Sequence, residues 1–183
     1  MSRPAWIGTG IITVVWLVGA IGFYVSAGRD LGTLFLSVNA LGVVIASYLA
    51  IISSAQDIAF RKLENSFHYC DKWDADLMMR ARDFIRGIRD RRSQLSDEQI
   101  IAQIQENEDL KRSVITAFNF WQDVWIAITT GRANEPVLKQ AFASAFDDMY
   151  RTFKPWLDVY SSKNDPVLVQ NISDLAARWA NGP

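Results

Sequence analysis

His68 and Cys70 are the single histidine and the single cysteine of the chain. An imidazole and a thiol can form a nucleophile pair, or supply two of the four ligands of a zinc site. Two positions apart on a helix, however, they point to different faces. The His and Cys that would complete a zinc site are not in the sequence. One cysteine also excludes a disulfide within the chain, and it suits a reducing compartment.

Carboxylates come in groups: Asp71, Asp74 and Asp76; Glu106, Glu108 and Asp109; Asp147 and Asp148. Such groups do acid–base work when burial separates their pKa values. Here most fall at helix starts, where negative charge complements the helix dipole, or on polar faces. The chain carries no Gly-rich phosphate loop and no Ser-centred nucleophile elbow. The expectation is a non-enzymatic protein with no cofactor and no metal.

The most suggestive polar feature is basic. Arg82, Arg86 and Arg89 fall on the helix face opposite the apolar one, extended by Arg91 and Arg92. Close to an anionic leaflet each would contribute about 1 kcal/mol. The three are therefore a candidate membrane-surface or acidic-partner face. The competing reading is a solvated face closed by local pairs, such as Arg86 with Asp83 or Asp90. Residues 61–92 hold nine Lys/Arg against six Asp/Glu, and residues 93–183 hold eight against twelve. That balance does not point to nucleic acid as a partner.

The elements that carry these residues divide sharply by composition. Between residues 4 and 56 the charged side chains are Arg29 and Asp30 alone. The stretches 4–27 and 31–56 are each long enough to cross a hydrocarbon core of about 30 Å as a helix. Trp6 and Tyr24 lie near the two ends of the first, where amphipathic rings favour the headgroup region. Gly28-Arg29-Asp30 leaves room only for a tight turn. Val25-Ser26-Ala27 has the look of a signal-peptide cleavage site, but Arg3 alone makes a weak n-region, so the segment reads as retained. Arg3, Arg61, Lys62 and Lys72 put both termini on the cytoplasmic side. In the second segment Gly42, Ala46, Ala50 and Ser54 recur every fourth residue, with Asn39 nearby. This stripe is a candidate helix-packing face, for a partner or for the first helix, which has its own small residues at Ala5, Thr9 and Thr13 and at Gly22 and Ser26. Neither segment holds the buried ionisable groups that an ion path uses.

From residue 57 onward the periodicity is helical. Ile58 to Tyr69 reads as an extension of the second segment. Trp73 to Arg92 follows, with Leu77, Ala81, Phe84, Ile85 and Ile88 as its apolar face. Ser96 and Gln99 form a capping box for a helix of about 97–107. Next comes a helix faced by Leu110, Val114, Ala117, Phe118, Trp121, Val124, Trp125 and Ile128, stopped by Gly131. Asn134 with Glu135-Pro136 opens another, faced by Leu138, Phe142, Ala145, Phe146, Met149 and Phe153 and kinked or ended at Pro155. Asp165-Pro166 opens the last, faced by Leu168, Ile172, Leu175 and Trp179, with Gly182 closing it. The fold class expected is all-α: a two-helix transmembrane hairpin over 1–56, then a cytoplasmic helical bundle over 57–183. Trp73, Trp121, Trp125, Trp156 and Trp179 should fill much of its core.

Two stretches, Asn119-Phe120-Trp121-Gln122-Asp123-Val124-Trp125-Ile126-Ala127-Ile128-Thr129-Thr130-Gly131 and Tyr150-Arg151-Thr152-Phe153-Lys154-Pro155-Trp156-Leu157, resemble, with Trp179, the bacterial family known as domain of unknown function 4760. The resemblance covers about residues 55–180. It implies a small protein with an N-terminal membrane anchor and a helical C-terminal domain, and no defined activity. It also implies an acidic residue where Gln122 stands and an Arg where Tyr160 stands. The place expected is the bacterial inner membrane. The role expected is an accessory or scaffold subunit that meets the lipid bilayer and either another membrane protein or a second copy of itself. The alternative is an oligomerising membrane effector of bacterial stress or phage defence.

Overall fold

The computed structural model describes residues 3–26, 31–161 and 165–180. Every element found among the described residues is helical: α1 (Arg3–Ser26), α2 (Leu31–Asp74), α3 (Asp76–Arg89), a 3-10 turn at Arg92–Gln94, α4 (Asp97–Glu106), α5 (Glu108–Thr129), α6 (Glu135–Ser161) and α7 (Pro166–Ala180). The expected turn at Gly28-Arg29-Asp30, the Trp6 ring and the Gly182 stop lie outside what is described. The chain divides into two compact units, Met1–Phe60 and Arg61–Pro183.

The first unit contains α1 and the apolar part of α2. Its outward face is hydrocarbon: Val15, Val18, Ile21, Val43 and Ile51 are all exposed. Partly covered positions recur at helical spacing, at Trp16, Ala20 and Tyr24 on α1 and at Leu41, Ile45, Tyr48 and Ile52 on α2. Among the described residues one stretch, Asn39–Asp74, is long and apolar enough to cross a membrane, and Val14–Ser26 is a shorter apolar run. α2 continues past residue 57 without interruption to Asp74.

The second unit is a bundle in which α5 packs on α3 and α7, and α6 packs on α4 and α7. Local chemistry sets where its helices begin and end. The Ser96 hydroxyl receives the Gln99 backbone N–H, and the Gln99 side chain receives that of Ser96 at 2.8 Å, so two orphan donors of α4 are satisfied. Asn107 accepts from the N–H groups of Asp109 and Leu110 to start α5. α5 ends in a Schellman turn. Gly131 adopts φ 66°, its N–H donates to Ile128 O, and Arg132 N–H donates to Ala127 O. Asn134 and Asp165 then cap α6 and α7 through Val137 N–H and Leu168 N–H.

Trp121 is the centre of the core and is fully buried. Its ring lies 5.0 Å from that of Trp73, 5.2 Å from Phe146 and 5.8 Å from Phe142, and its indole N–H donates to Met149 Sδ at 3.2 Å. Edge-on and tilted packing of this kind suits the aromatic quadrupole. Trp156 and Trp179 are buried as expected, whereas Trp73 and Trp125 are half-exposed.

Two expectations for α3 need correction. The apolar face of α3 is Met78, Ala81, Ile85 and Ile88, while Leu77 and Phe84 point outward at 70% and 49% exposure. The helix starts at Asp76 rather than Trp73, because Ala75 is extended at ψ 149° and breaks the run from α2. Of the two outcomes expected at Pro155, a kink or an end, the end does not occur: α6 runs on to Ser161. The carbonyl that loses a donor to Pro155 is that of Arg151, an exposed residue, so water can replace the missing bond.

Candidate functional site

His68 is exposed, and Cys70 is partly buried against the core. Burial and the nearby Asp71 and Asp74 charges push the Cys70 thiol above its ordinary pKa, the opposite of what a nucleophilic cysteine needs. Among the described residues no group of three or more His, Cys, Asp or Glu converges as a metal cage would. The acidic groups are dispersed into local roles. Asp76 sits in the first turn of α3, and Glu108 and Asp109 sit in the first turn of α5. Asp147 pairs with Arg151 at 2.9 Å, and the neighbouring Asp148 side chain is exposed.

The five residues of the small-residue stripe, Asn39, Gly42, Ala46, Ala50 and Ser54, are all exposed. A Cβ placed on Gly42 would meet nothing within 4 Å. They lie apart from the partly covered positions Leu41, Ile45, Tyr48 and Ile52. The stripe is thus exposed and lies off the partly covered face of α2.

The arginine face is where structure brings predicted residues together. Arg82, Arg86 and Arg89 project from one side of α3 and line a cavity of about 190 Å³. Trp73 at the end of α2, Ile85 on α3, Ala117 on α5, and Ala145 and Met149 on α6 complete its walls. These arginines do not stand opposite the apolar face, as the sequence suggests. They flank it, because positions 78, 82, 85 and 89 follow helical spacing along one side. The Arg82 guanidinium lies over the Trp73 ring, 4.8 Å from its centroid, and reaches Asp74 at 3.4 Å. Its Nε is shielded from solvent and has no acceptor. Arg86 pairs with Asp83 at 3.5 Å and Arg89 with Asp90 at 3.0 Å. All three carboxylates are well exposed, so these are surface pairs worth about 0–1 kcal/mol each.

Trp73 was the residue that sequence spacing could not assign to this site. Read as the first turn of α3, it would sit out of register with Arg82. The break at Ala75 re-aims it. A second set of contacts, also silent in the sequence, fixes α2 to the bundle: Asn65 Nδ2 donates to Arg132 O at 2.9 Å, and Asn134 N–H donates to the buried Ser66 hydroxyl at 2.8 Å.

No curated protein and no solved structure matches the chain. The family described as domain of unknown function (DUF4760) matches residues 36–179. That range includes the arginine cavity, the aromatic core and much of the apolar half of α2, from which the small-residue stripe projects. Matched over most of its length, the chain belongs to the DUF4760 family.

Proposed function

We propose that this protein is a membrane-anchored, non-enzymatic interaction protein, an accessory or scaffold subunit of a larger membrane complex. In this reading 4–27 and 31–56 form a transmembrane hairpin. The helical domain and both termini face the cytoplasm, at the inner membrane of a bacterium. The observation that carries it is the apolar exposure of α2. The apolar window within Asn39–Asp74 has no buried residue, and Val43 and Ile51 are 66% and 69% exposed. Apolar surface in water costs about 25 cal/mol per Å². A run of that length needs a solvent of its own kind, and a bilayer provides one. Arg61, Lys62 and Lys72 follow the span and favour a cytoplasmic domain. On the domain itself Leu77 and Phe84, one heptad apart on α3, are apolar, exposed and unpartnered by the core. Such a pair suits a docking surface.

Extraction from native membranes in a mild detergent tests this. The protein should elute with a stoichiometric companion or as a defined homo-oligomer. A clean monomer under those conditions contradicts it.

A second reading is favoured by the exposed stripe at Asn39, Gly42, Ala46, Ala50 and Ser54. Small residues at that spacing let helices of two copies approach closely. An oligomerising membrane effector of bacterial stress or phage defence would use it so. Overexpression would then be toxic, and Ala46→Leu would relieve the toxicity. Unchanged toxicity in Ala46→Leu removes this reading.

A further inference from the structure

We infer that the cavity under Arg82, Arg86 and Arg89 binds a small phosphate-bearing ligand, with the phosphate on the arginines and an adjoining apolar group against Trp73 and Met149. Three arginine residues line this cavity and no acidic residue does. The carboxylates that pair with them lie outside it and are exposed, so an incoming anion displaces only weak contacts. Arg82 is already placed: its guanidinium is stacked on Trp73, and its Nε N–H is shielded from water without an acceptor. A buried donor left unpaired is costly, and an anion in the cavity would offset that cost.

The chemistry of the walls narrows the ligand. A phosphate offers three peripheral oxygens, enough for one to face each arginine, and guanidinium forks match them in pairs. A carboxylate has two. The opposite wall, Ala117, Ala145 and Met149, offers no polar side chain, so a bare inorganic ion would leave half the cavity unused. At about 190 Å³ the cavity is below the usual range of drug-sized sites, roughly 300–1,000 Å³. It suits a short phosphate monoester or the tip of a phospholipid headgroup rather than a whole nucleotide. This inference does not depend on how the protein is anchored.

The test is calorimetric titration of the full-length protein in neutral detergent. The probes are phenyl phosphate, inorganic phosphate, and detergent micelles doped with phosphatidate. Where soluble phosphates bind, phenyl phosphate should bind saturably and more tightly than inorganic phosphate. Binding of the soluble esters identifies a free ligand, and binding of phosphatidate micelles alone identifies a lipid headgroup. Both outcomes support the phosphate site. Arg86→Gln and Arg89→Gln, at exposed positions that should not disturb folding, should each weaken binding about tenfold. Arg82→Lys keeps the charge but loses the fork, and should weaken it similarly. Arg112→Gln, on α5 and outside the cavity, should change nothing. The inference fails if no probe binds saturably, or if the Arg86→Gln, Arg89→Gln double variant binds as the parent does.

Discussion

The Ser66 hydroxyl accepts the backbone N–H of Asn134 at 2.8 Å, across 68 positions of sequence, and donates to Lys62 O at 2.8 Å. Ser66 is wholly buried. This one side chain joins the second half of α2 to the turn that opens α6. In Ser66→Ala the part-buried Asn134 N–H loses its acceptor, at a cost of about 1–3 kcal/mol. Denaturant titration should register that loss. An unchanged midpoint would mean that water replaces the hydroxyl.

The aromatic core makes a larger claim on stability. Trp121 touches rings from α2, α6 and α7 and has no exposed surface. Trp121→Ala should cost about 3–5 kcal/mol, a large part of the stability of a domain this size. Trp121→Phe keeps most of the volume but abandons the bond to Met149, and should cost much less. Circular dichroism melts compare the two. Equal losses would show that the indole N–H, rather than the packing, is what counts.

Helix ends supply smaller, separable increments. Ser96→Ala removes half of the capping box and should cost about 1 kcal/mol. Gly131→Ala forces a Cβ into the left-handed region at φ 66°, for about 1–2 kcal/mol. A Cβ there meets only the Lys62 Nζ at 3.7 Å, so the cost is conformational rather than steric. The sites share no partner, so the double variant should show the sum. A shortfall would reveal a coupling that the structure does not contain.

Cys70 gives a pH signature. Burial, with Asp71 and Asp74 nearby, raises its thiol pKa in the folded protein. Folding therefore disfavours the thiolate. The stabilisation is complete below the unfolded thiol pKa and is lost as pH rises through the folded one. Iodoacetamide should accordingly modify folded Cys70 slowly at neutral pH. Its rate–pH curve should be displaced upward from that of the urea-unfolded chain. A curve displaced downward would mark an activated thiol and reopen the question of chemistry at this residue.

Local signals explain what was legible in the sequence. The Ser96–Gln99 box, the Gly131 stop, the Asn134 and Asp165 starts and the buried face of α5, Trp125 apart, are all encoded within a few residues, and the structure has each of them. The DUF4760 resemblance was legible in the same stretches, although the match begins earlier than expected, at residue 36. The break at Ala75 was not legible, since alanine is the best helix former and yet is extended here at ψ 149°. That one unread bend misplaced Trp73 and with it the arginine cavity. Leu77 and Phe84 misled for the opposite reason. They fit an apolar periodicity, yet the core needed only the narrower stripe of Met78, Ala81, Ile85 and Ile88. Ser66 carried no signal at all, because its partner lies beyond any local window.

In the proposed function lipid is the solvent of the apolar helices. Washing native membranes with alkaline carbonate measures this most directly, because it strips peripheral proteins and leaves spanning ones. The full-length protein should stay in the pellet and be released only by detergent. Its appearance in the carbonate supernatant would contradict the anchor, and with it the scaffold role and the cytoplasmic placement of the bundle.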